Sequence, residues 1–391
     1  MWAKSWTDRK LTLDMEISTF CNAKCPQCSR TDRWNKLQKK AWLPTESVTL
    51  KQFQTWFAPE DLNGIKNIHF SGTYGDPGMC KDLAKITEYI LSTSTCNVSI
   101  NTNGGMRDEM FWWELGNIGG QRLHIIMDVD GINQEMHSFY RQDVNLEKVL
   151  ANLEAVAETT CKLTVLTVLF KHNQDYLEEI RDMCRKLGVE RFDEVEGNNF
   201  GPSPIYEFED MDGNIQELHQ ITREDREQGL KRYDRRVRDH RHSDNKSTKK
   251  EEYDNIDNWR GYDEIDCLAL AQHNLKVSVR GTITPCCYLS SGVETTAVYK
   301  SEKYPYQHLT TTGQQKDGPH PVMQNMLDRI GDFQLGKGKS IFELLSDPWW
   351  EKYLPESWED RDTPIFGCAK ICGKKSCMAT TELEIHASLQ E

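Results

Sequence analysis

Segments with strand and helix patterns alternate over the first half of the chain, and this alternation is the strongest constraint on its fold. Apolar residues at helical spacing predict helices between the strands, at 49–57, 82–94, 106–118, 146–158 and 176–188. The predicted strands are 10–19, 65–72, 97–104, 122–131, 162–170 and 191–197. Such strand–helix repeats predict an α/β fold with a parallel sheet and right-handed crossovers, as an open sheet or a partial barrel.

The loops of unusual composition each follow one of these strands. They read CNAKCPQCSR (21–30), SGTYGDPG (71–78), NTNGG (101–105) and DVDG (128–131). The carboxyl ends of parallel strands meet at one edge of a sheet or barrel, where ligands bind. The sequence therefore predicts a ligand site built from these four loops.

The first of these loops carries Cys21, Cys25 and Cys28 at C-x3-C-x2-C spacing. The chain has 13 cysteines in 391 residues, its N-terminus lacks the apolar core of a signal peptide, and its apolar runs are too short to cross a membrane. We therefore expect a cytoplasmic protein with reduced thiols that bind metal. Three ligands leave a coordination position open for chemistry, whereas a distant fourth ligand would make a structural zinc site.

The net charge of −13 argues against nucleic acid and anionic membrane as partners, because binding to phosphates relies on clustered Lys and Arg. One basic stretch, KRYDRRVRDHRH (231–242), has acidic residues interleaved and on both sides. We interpret it as a solvated helix or linker.

The composition changes after the strand–helix series. Residues 206–260 are polar and are predicted to be a linker or insertion, partly helical. The remaining segment, 261–391, contains six cysteines and a predicted β-hairpin with Arg280 and Gly281 at its turn. The predicted domains are thus 1–205, 206–260 and 261–391.

The cysteine spacing, on a loop after the first strand of such an array, resembles the radical S-adenosylmethionine (SAM) superfamily. The resemblance implies a partial (βα)6 TIM-like barrel in which Cys21, Cys25 and Cys28 hold a [4Fe–4S] cluster. SAM would chelate the open iron, and its reductive cleavage would yield a 5′-deoxyadenosyl radical that abstracts a substrate hydrogen.

The later loops match the SAM-binding loops of this superfamily in position. The segment SGTYGDP resembles the loop that holds the SAM amino group, although it departs from Gly-Gly-Glu-Pro. NTNG resembles the loop near the ribose, and DVDG with Arg141 resembles the region that reaches the SAM carboxylate. Gln27 stands where an aromatic residue near adenine is usual. The implied SAM-binding residues are Gly72, Thr73, Gly75, Asp76, Asn101, Asn103, Asp128 and Arg141.

The second half resembles the auxiliary-cluster domains called SPASM and twitch, through the pattern C-x13-G-x4-C from Cys267 to Cys286. The final run GCAKICGKKSC does not fit the full SPASM pattern, which favours the shorter twitch form, a small α+β domain. The resemblance implies an auxiliary [4Fe–4S] cluster, with a zinc-bound module as the alternative. Its expected ligands are Cys267, Cys286, Cys368 and Cys372, with Cys377 as the substitute and Cys287 next.

The resemblance implies an oxidoreductase that oxidises or dehydrogenates a small molecule, with the auxiliary cluster as electron acceptor. A peptide- or protein-modifying enzyme is the alternative, and a zinc- or Fe–S-stabilised binding protein without catalysis is the alternative of another class. An external reductant of flavodoxin or ferredoxin type would supply the electron. Asp128, Asp130 and Glu196, at predicted strand ends, are the candidates for the catalytic base.

Overall fold

A computed structural model describes residues 1–197, 200, 203–221, 264–298, 307–313 and 318–374. Contacts divide the chain into two compact units. The barrel unit comprises Thr12–Arg235 and Val277–Gly281, and the C-terminal unit comprises Met1–Leu11, Arg236–Lys276 and Thr282–Glu391. The basic stretch 231–242 lies outside the described residues.

The secondary-structure elements are numbered along the chain. The strands are β1 Leu11–Met15, β2 Thr31–Asp32, β3 Gln38–Lys39, β4 Ile65–Phe70, β5 Asn97–Thr102, β6 Leu123–Asp128, β7 Lys162–Leu169, β8 Arg191–Glu196, β9 Ile205–Glu209, β10 Ile215–His219, β11 Glu264–Ile265, β12 Asn274–Val277, β13 Ile283–Thr284 and β14 Gly373–Lys374. The helices are α1 Trp2–Thr7, α2 Leu50–Trp56, α3 Pro59–Leu62, α4 Leu83–Thr93, α5 Glu109–Gly119, α6 Gln134–Tyr140, α7 Leu146–Ala157, α8 Leu177–Arg185, α9 Leu268–Ala271, α10 Cys287–Val293, α11 Pro321–Asp328, α12 Ile341–Leu345, α13 Leu354–Glu359 and α14 Phe366–Cys372.

The barrel unit is built on strands that neighbour each other in the order β1-β4-β5-β6-β7-β8. Pairing is parallel from β4 to β8, with Ile100 opposite Ile125 and Val165 opposite Phe192. These strands are rich in β-branched residues, and their inward side chains are buried. The predicted strands and the helices between them are confirmed, as is the α/β fold of a partial barrel.

Local sequence sets the starts of the helices that alternate with these strands. Thr49 and Gln52 form a capping box at α2, because each side chain accepts a hydrogen bond from the other's backbone N–H. Asp108 caps α5 and Asn145 caps α7 in the same position. These three helices therefore begin at residues whose side chains accept hydrogen bonds from otherwise unpaired N–H groups.

Residues 205–219 form an antiparallel β-hairpin, β9 paired with β10, at the start of the segment predicted to be a linker or insertion, partly helical. Phe208 and Leu218 are fully buried. Asp210 accepts two backbone hydrogen bonds in the turn, where Gly213 has a φ of +93° that favours glycine. The hairpin belongs to the barrel unit, whereas residues 222–263 lie outside the described part of the chain.

The C-terminal unit has an aromatic core. Trp2 from α1 packs edge-on against Trp350, with ring centroids 5.4 Å apart, and Trp350 in turn contacts Trp349 and Phe333. Contacts group α1 with this unit, where the Trp2 indole N–H donates to the Asn274 carbonyl. Within the described residues, no helix is long and apolar enough to cross a bilayer.

Candidate functional site

The loop after β1 carries the three cysteines of the C-x3-C-x2-C motif. The Cys28 N–H donates to the Cys25 carbonyl at 3.1 Å, and the Thr31 N–H donates to the Cys28 carbonyl at 3.0 Å. The Ala23 N–H lies 3.4 Å from Cys21 Sγ. These tight turns place the three thiols on one compact loop, and Cys25 is 7% exposed.

Burial controls the protonation of these thiols. It raises the pKa of Cys25 to about 12, and it also raises the pKa values of Cys21 and Cys28. A neighbouring carboxylate raises each of the latter two pKa values further, and the other two thiols do the same for Cys21. Three adjacent thiolates are therefore costly here unless a cation shares the site, as iron or zinc would. Among the described residues, no three His, Cys, Asp or Glu side chains converge as ligands of a single metal ion.

Arg141, which follows α6, supplies a positive charge beside the cysteine loop. Its Nη1 lies 3.9 Å from Cys25 Sγ and 3.0 Å from an Asp128 oxygen, and its Nε lies 2.6 Å from an Asp130 oxygen. The charge of Arg141 opposes the effect of burial on the pKa of Cys25. The guanidinium thus links the end of β6 to the thiols.

The two aspartates that were candidates for the catalytic base share Arg141 as their partner. Asp130 is fully buried and also accepts the Val168 N–H at 2.6 Å, so its carboxylate is held from two sides. Burial raises the pKa of Asp128 to about 7, against the opposing charge of Arg141. Both carboxylates therefore contact the Arg141 guanidinium. Glu196 ends β8, two strands from β6 in the sheet order.

Asp76 joins the loops after β4 and β5. One carboxylate oxygen accepts the Thr102 hydroxyl at 2.8 Å and the Gly78 N–H at 2.9 Å, and the other accepts both the Asn103 N–H and its side-chain amide at 2.8 Å. Asn103 Nδ2 also lies 3.8 Å from Cys21 Sγ. Asp76 and Asn103 therefore hold the loops and the first cysteine together.

The glycines of the β4 loop allow a close approach of backbones. A Cβ on Gly75 would collide with the Ser18 carbonyl oxygen, and one on Gly72 would collide with the Gly75 carbonyl. Thr73 lies between them, partly exposed. At the end of β5, Asn101 Oδ1 is buried without a hydrogen-bond partner among the described residues, as expected of an atom that accepts from a ligand.

Sequence reasoning missed two charged residues near Cys28. Glu16, which is 1% exposed, accepts the Tyr74 N–H at 2.7 Å, and Arg30 donates to the Thr19 carbonyl at 2.6 Å. Arg30 lowers and Glu16 raises the pKa of Cys28, although burial remains the largest effect. Arg30 follows the motif directly and could have been proposed, whereas nothing in the strand pattern distinguishes Glu16.

The C-terminal unit brings four of its cysteines together. Cys267 precedes α9, Cys286 precedes α10, and Cys368 and Cys372 lie one turn apart on α14. Cys267 lies beside Cys372 because β11 pairs with β14 and because the Asp266 N–H donates to the Cys372 carbonyl at 3.0 Å.

Burial disfavours the thiolate form of these four cysteines as well. Burial raises the pKa of Cys267 to about 12 and raises the pKa values of Cys286, Cys368 and Cys372, and neighbouring thiols raise each further. Cys287 is exposed, and Cys377 lies outside the described residues. The donor set again fits a group that carries positive charge and binds thiolates.

Comparison with known proteins shows that a segment in the first half of the chain matches a family model. Residues 15–184 match the family model described as "Radical SAM superfamily". A protein named "Probable GTP 3′,8-cyclase" from Methanococcus maripaludis strain C5 is 28% identical over 178 residues, 45% of this chain and 55% of that protein. Its namesake from Methanocaldococcus jannaschii is 25% identical over 205 residues, 50% of this chain and 64% of that protein.

The chain thus spans little more than half of the length of these relatives. Among solved structures, native anSMEcpe with bound AdoMet has a TM-score of 0.51 and 13% identity, and the match covers 97% of this chain and 98% of that one. At this identity the likeness concerns the fold alone.

Proposed function

We propose, because residues 15–184 match the model of the radical SAM superfamily, that Cys21, Cys25 and Cys28 bind a [4Fe–4S] cluster and that the chain is a SAM-cleaving enzyme. The observation that carries this proposal is that Asn103, after β5, lies beside Cys21, and that Arg141, paired with Asp128 at the end of β6, lies beside Cys25. When bound, the cluster and SAM supply reductive cleavage to a 5′-deoxyadenosyl radical that abstracts hydrogen from the substrate.

The chain's own residues hold and shield this site. Burial shields Cys25 from water, whereas Cys21 and Cys28 are partly exposed, and Arg141 offsets part of the negative charge at Cys25. Asp76 fixes the β4 and β5 loops, while Gly72, Thr73, Gly75 and Asn101 offer backbone and amide groups to SAM. A one-electron reductant of flavodoxin or ferredoxin type completes the system.

We further propose that Cys267, Cys286, Cys368 and Cys372 bind an auxiliary [4Fe–4S] cluster of twitch type, with Cys377 as the substitute ligand. Their common burial and mutual influence on pKa support this assignment. A cluster with four protein ligands is closed and suited to accept an electron from an oxidised substrate. This favours oxidation or dehydrogenation as the reaction.

The substrate that we propose is a small molecule. The curated relatives carry names of enzymes that act on GTP, a nucleotide, and this supports a small molecule over a peptide. Asp128, Asp130 and Glu196 remain the candidates for the catalytic base, at or just after the ends of β6 and β8. Products formed from small molecules and from peptides, measured by mass spectrometry, would decide between the two substrate classes.

Anaerobic reconstitution with iron and sulfide tests the proposal directly. We expect roughly eight irons per chain and dithionite-dependent formation of 5′-deoxyadenosine. Cys25→Ala abolishes that product, whereas Cys161→Ala, which removes a thiol elsewhere, leaves it unchanged. Stoichiometric zinc without SAM cleavage would refute the proposed enzymatic function and support a binding protein. About four irons per chain with activity retained would refute the proposed auxiliary cluster.

A further inference from the structure

His137 and Arg141 lie one helical turn apart, beside the loop that follows β6. His137 belongs to α6, and the Arg141 N–H donates to the His137 carbonyl at 2.9 Å. The loop comes close to this helix because Gly131 has no side chain, since a Cβ there would collide with the His137 backbone nitrogen. The loop therefore packs directly against the turn of helix that carries His137 and Arg141.

Asp130 of this loop joins both residues. Its backbone N–H donates to His137 Nδ1 at 3.2 Å, and one of its carboxylate oxygens accepts the Arg141 Nε–H at 2.6 Å. The Val168 N–H donates to the other carboxylate oxygen at 2.6 Å, and Asn173 Nδ2 donates to the Asp130 carbonyl at 3.0 Å. Each polar group of Asp130 thus has a partner, and the residue is held from several directions.

The His137 ring is fully buried and takes part in this network as a neutral group. Because its Nδ1 accepts a hydrogen bond, the ring carries its proton on Nε2. Burial also lowers the pKa of His137 to about 4. Nε2 has no hydrogen-bond partner in the part of the chain that the structure describes. The ring therefore holds the Asp130 backbone in place and adds no charge near neutral pH.

The guanidinium that this network holds is directed at a thiol of the cysteine loop. Arg141 Nη1 lies 3.9 Å from Cys25 Sγ, as the donor of an N–H···S hydrogen bond. The Arg141 side chain is 12% exposed, and Cys25 is buried. A charge acts more strongly on its neighbours in such a poorly solvated place than at the surface. The contact therefore places a buried positive charge against a thiolate that the proposed function assigns to the cluster.

A cation beside a cluster thiolate favours the reduced form of the cluster. Reduction adds one electron, and with it one negative charge, which the external reductant of the proposed function supplies. Hydrogen bonds to the sulfurs and the net charge nearby are among the factors that set the reduction potential of an iron–sulfur cluster. Outer residues that orient such groups affect the metal as well. Displacement of the guanidinium from Cys25 should therefore make the cluster harder to reduce.

We propose that Arg141 raises the reduction potential of the cluster held by Cys21, Cys25 and Cys28, and that His137 is the positioning residue that keeps the guanidinium at Cys25, acting through Asp130. The inference rests on the proposed function, which supplies the cluster. It differs from the role that the family resemblance implies for Arg141, a contact with the SAM carboxylate, because it requires an effect on the cluster when no SAM is bound.

The midpoint potential of the barrel cluster, measured without SAM, tests this. A redox titration of the reconstituted full chain, followed by electron paramagnetic resonance, gives that potential, and the signal that Cys25→Ala lacks identifies this cluster. Arg141→Met should raise the oxidised-to-reduced ratio at a fixed potential about tenfold, which for a one-electron couple is a shift of about 59 mV to more negative potential. Lys148→Met, which removes an exposed cation of α7, should leave the potential unchanged.

A matched pair of variants tests His137. His137→Leu removes the acceptor of the Asp130 N–H and should shift the potential in the same direction as Arg141→Met, with a ratio changed by about threefold or more. His137→Asn restores an acceptor oxygen and should stay within about twofold of the wild type. Neither variant changes the charge near neutral pH, so a shift reports a displaced guanidinium.

Equilibrium dialysis with SAM separates the two roles of Arg141. An unchanged potential in Arg141→Met, with the Kd for SAM raised about tenfold, overturns the inference and assigns Arg141 to SAM. An unchanged potential in His137→Leu, or equal shifts in His137→Leu and His137→Asn, overturns the positioning role. A midpoint potential is read from the clusters that form, and if Arg141→Met binds no iron, the His137 pair decides. A wild-type chain that takes up zinc and no iron overturns the proposed function instead.

Discussion

Replacement of Asp76 by alanine should detach the loops that hold the cysteine site. The carboxylate accepts hydrogen bonds from the Gly78 N–H, the Thr102 hydroxyl and two donors of Asn103, all buried. A buried donor left without a partner costs about 1–3 kcal/mol. The two side-chain donors can turn toward water, whereas the two backbone N–H groups cannot.

We therefore expect Asp76→Ala to lower the free energy of unfolding of the barrel unit by about 4 kcal/mol. For a unit of this size, such a loss lowers the melting temperature by roughly 10 °C, which differential scanning fluorimetry of the metal-free chain measures. Asp76→Asn keeps one acceptor oxygen and should lose about half as much. Glu154→Ala, which removes an exposed carboxylate from α7, is the matched control and should change little.

The same variant should also lose iron, because Asn103 would no longer be held beside Cys21. A melting temperature of Asp76→Ala within about 2 °C of the wild type would refute the reasoning, since it would mean that the loops are held without this carboxylate. Stability lost with iron content retained would confirm the hydrogen-bond argument and separate it from the cluster site.

Three further predictions follow from buried charges and thiols. Arg141→Met should destabilise the barrel unit by about 3–5 kcal/mol, because it leaves two carboxylates buried without a cation, and adding Asp130→Asn should restore part of the melting temperature; a single variant as stable as the wild type would contradict this. Burial raises the pKa of Glu294 from 4.5 to about 7, so its contribution to stability is full below about pH 4.5 and is lost as the pH rises to 7. Glu294→Gln should remove about 3 kcal/mol of that pH dependence between pH 4.5 and 8, and an unchanged slope of melting temperature against pH would count against it. Cys286→Ala should lower the iron content by about four per chain, whereas Cys287→Ala at the exposed neighbour should not, and equal losses would reject the ligand assignment.

Periodicity predicted the strands and helices of the barrel unit well because its information is local, whereas it left an open sheet and a partial barrel as alternatives. Each strand and helix of the series depends on side-chain spacing within about ten residues, and the structure has all of them. The β9–β10 hairpin was missed for the opposite reason. Its many acidic residues are typical of a linker or insertion. Only a few widely spaced residues indicate the hairpin, namely the buried Phe208 and Leu218 and the turn at Gly213.

The sequence predicted which residues lie near one another at the candidate site, but it did not predict which contacts each of them makes. The resemblance to the superfamily's loops implies that Asp76, Asn103 and Asp128 contact SAM. In the structure, Asp76 accepts hydrogen bonds from Thr102 and Asn103, and Asp128 forms an ion pair with Arg141. These contacts join parts of the chain that are distant in sequence. Spacing along a sequence places such side chains at one edge of a sheet, but only packing decides which donor meets which acceptor.

The two sets of cysteines differ in the number of thiols and in the charged side chain beside them, and this difference supports different roles for them. The barrel unit offers three thiols with Arg141 beside Cys25, so the positive charge of a side chain stands next to an incomplete ligand set. The C-terminal unit offers Cys267, Cys286, Cys368 and Cys372, a complete set for one cluster. If both bind [4Fe–4S] clusters, only the first keeps an iron free for SAM. Adding SAM should then alter the electron paramagnetic resonance spectrum of the reduced barrel cluster alone, and a change confined to the other cluster would reverse the assignment.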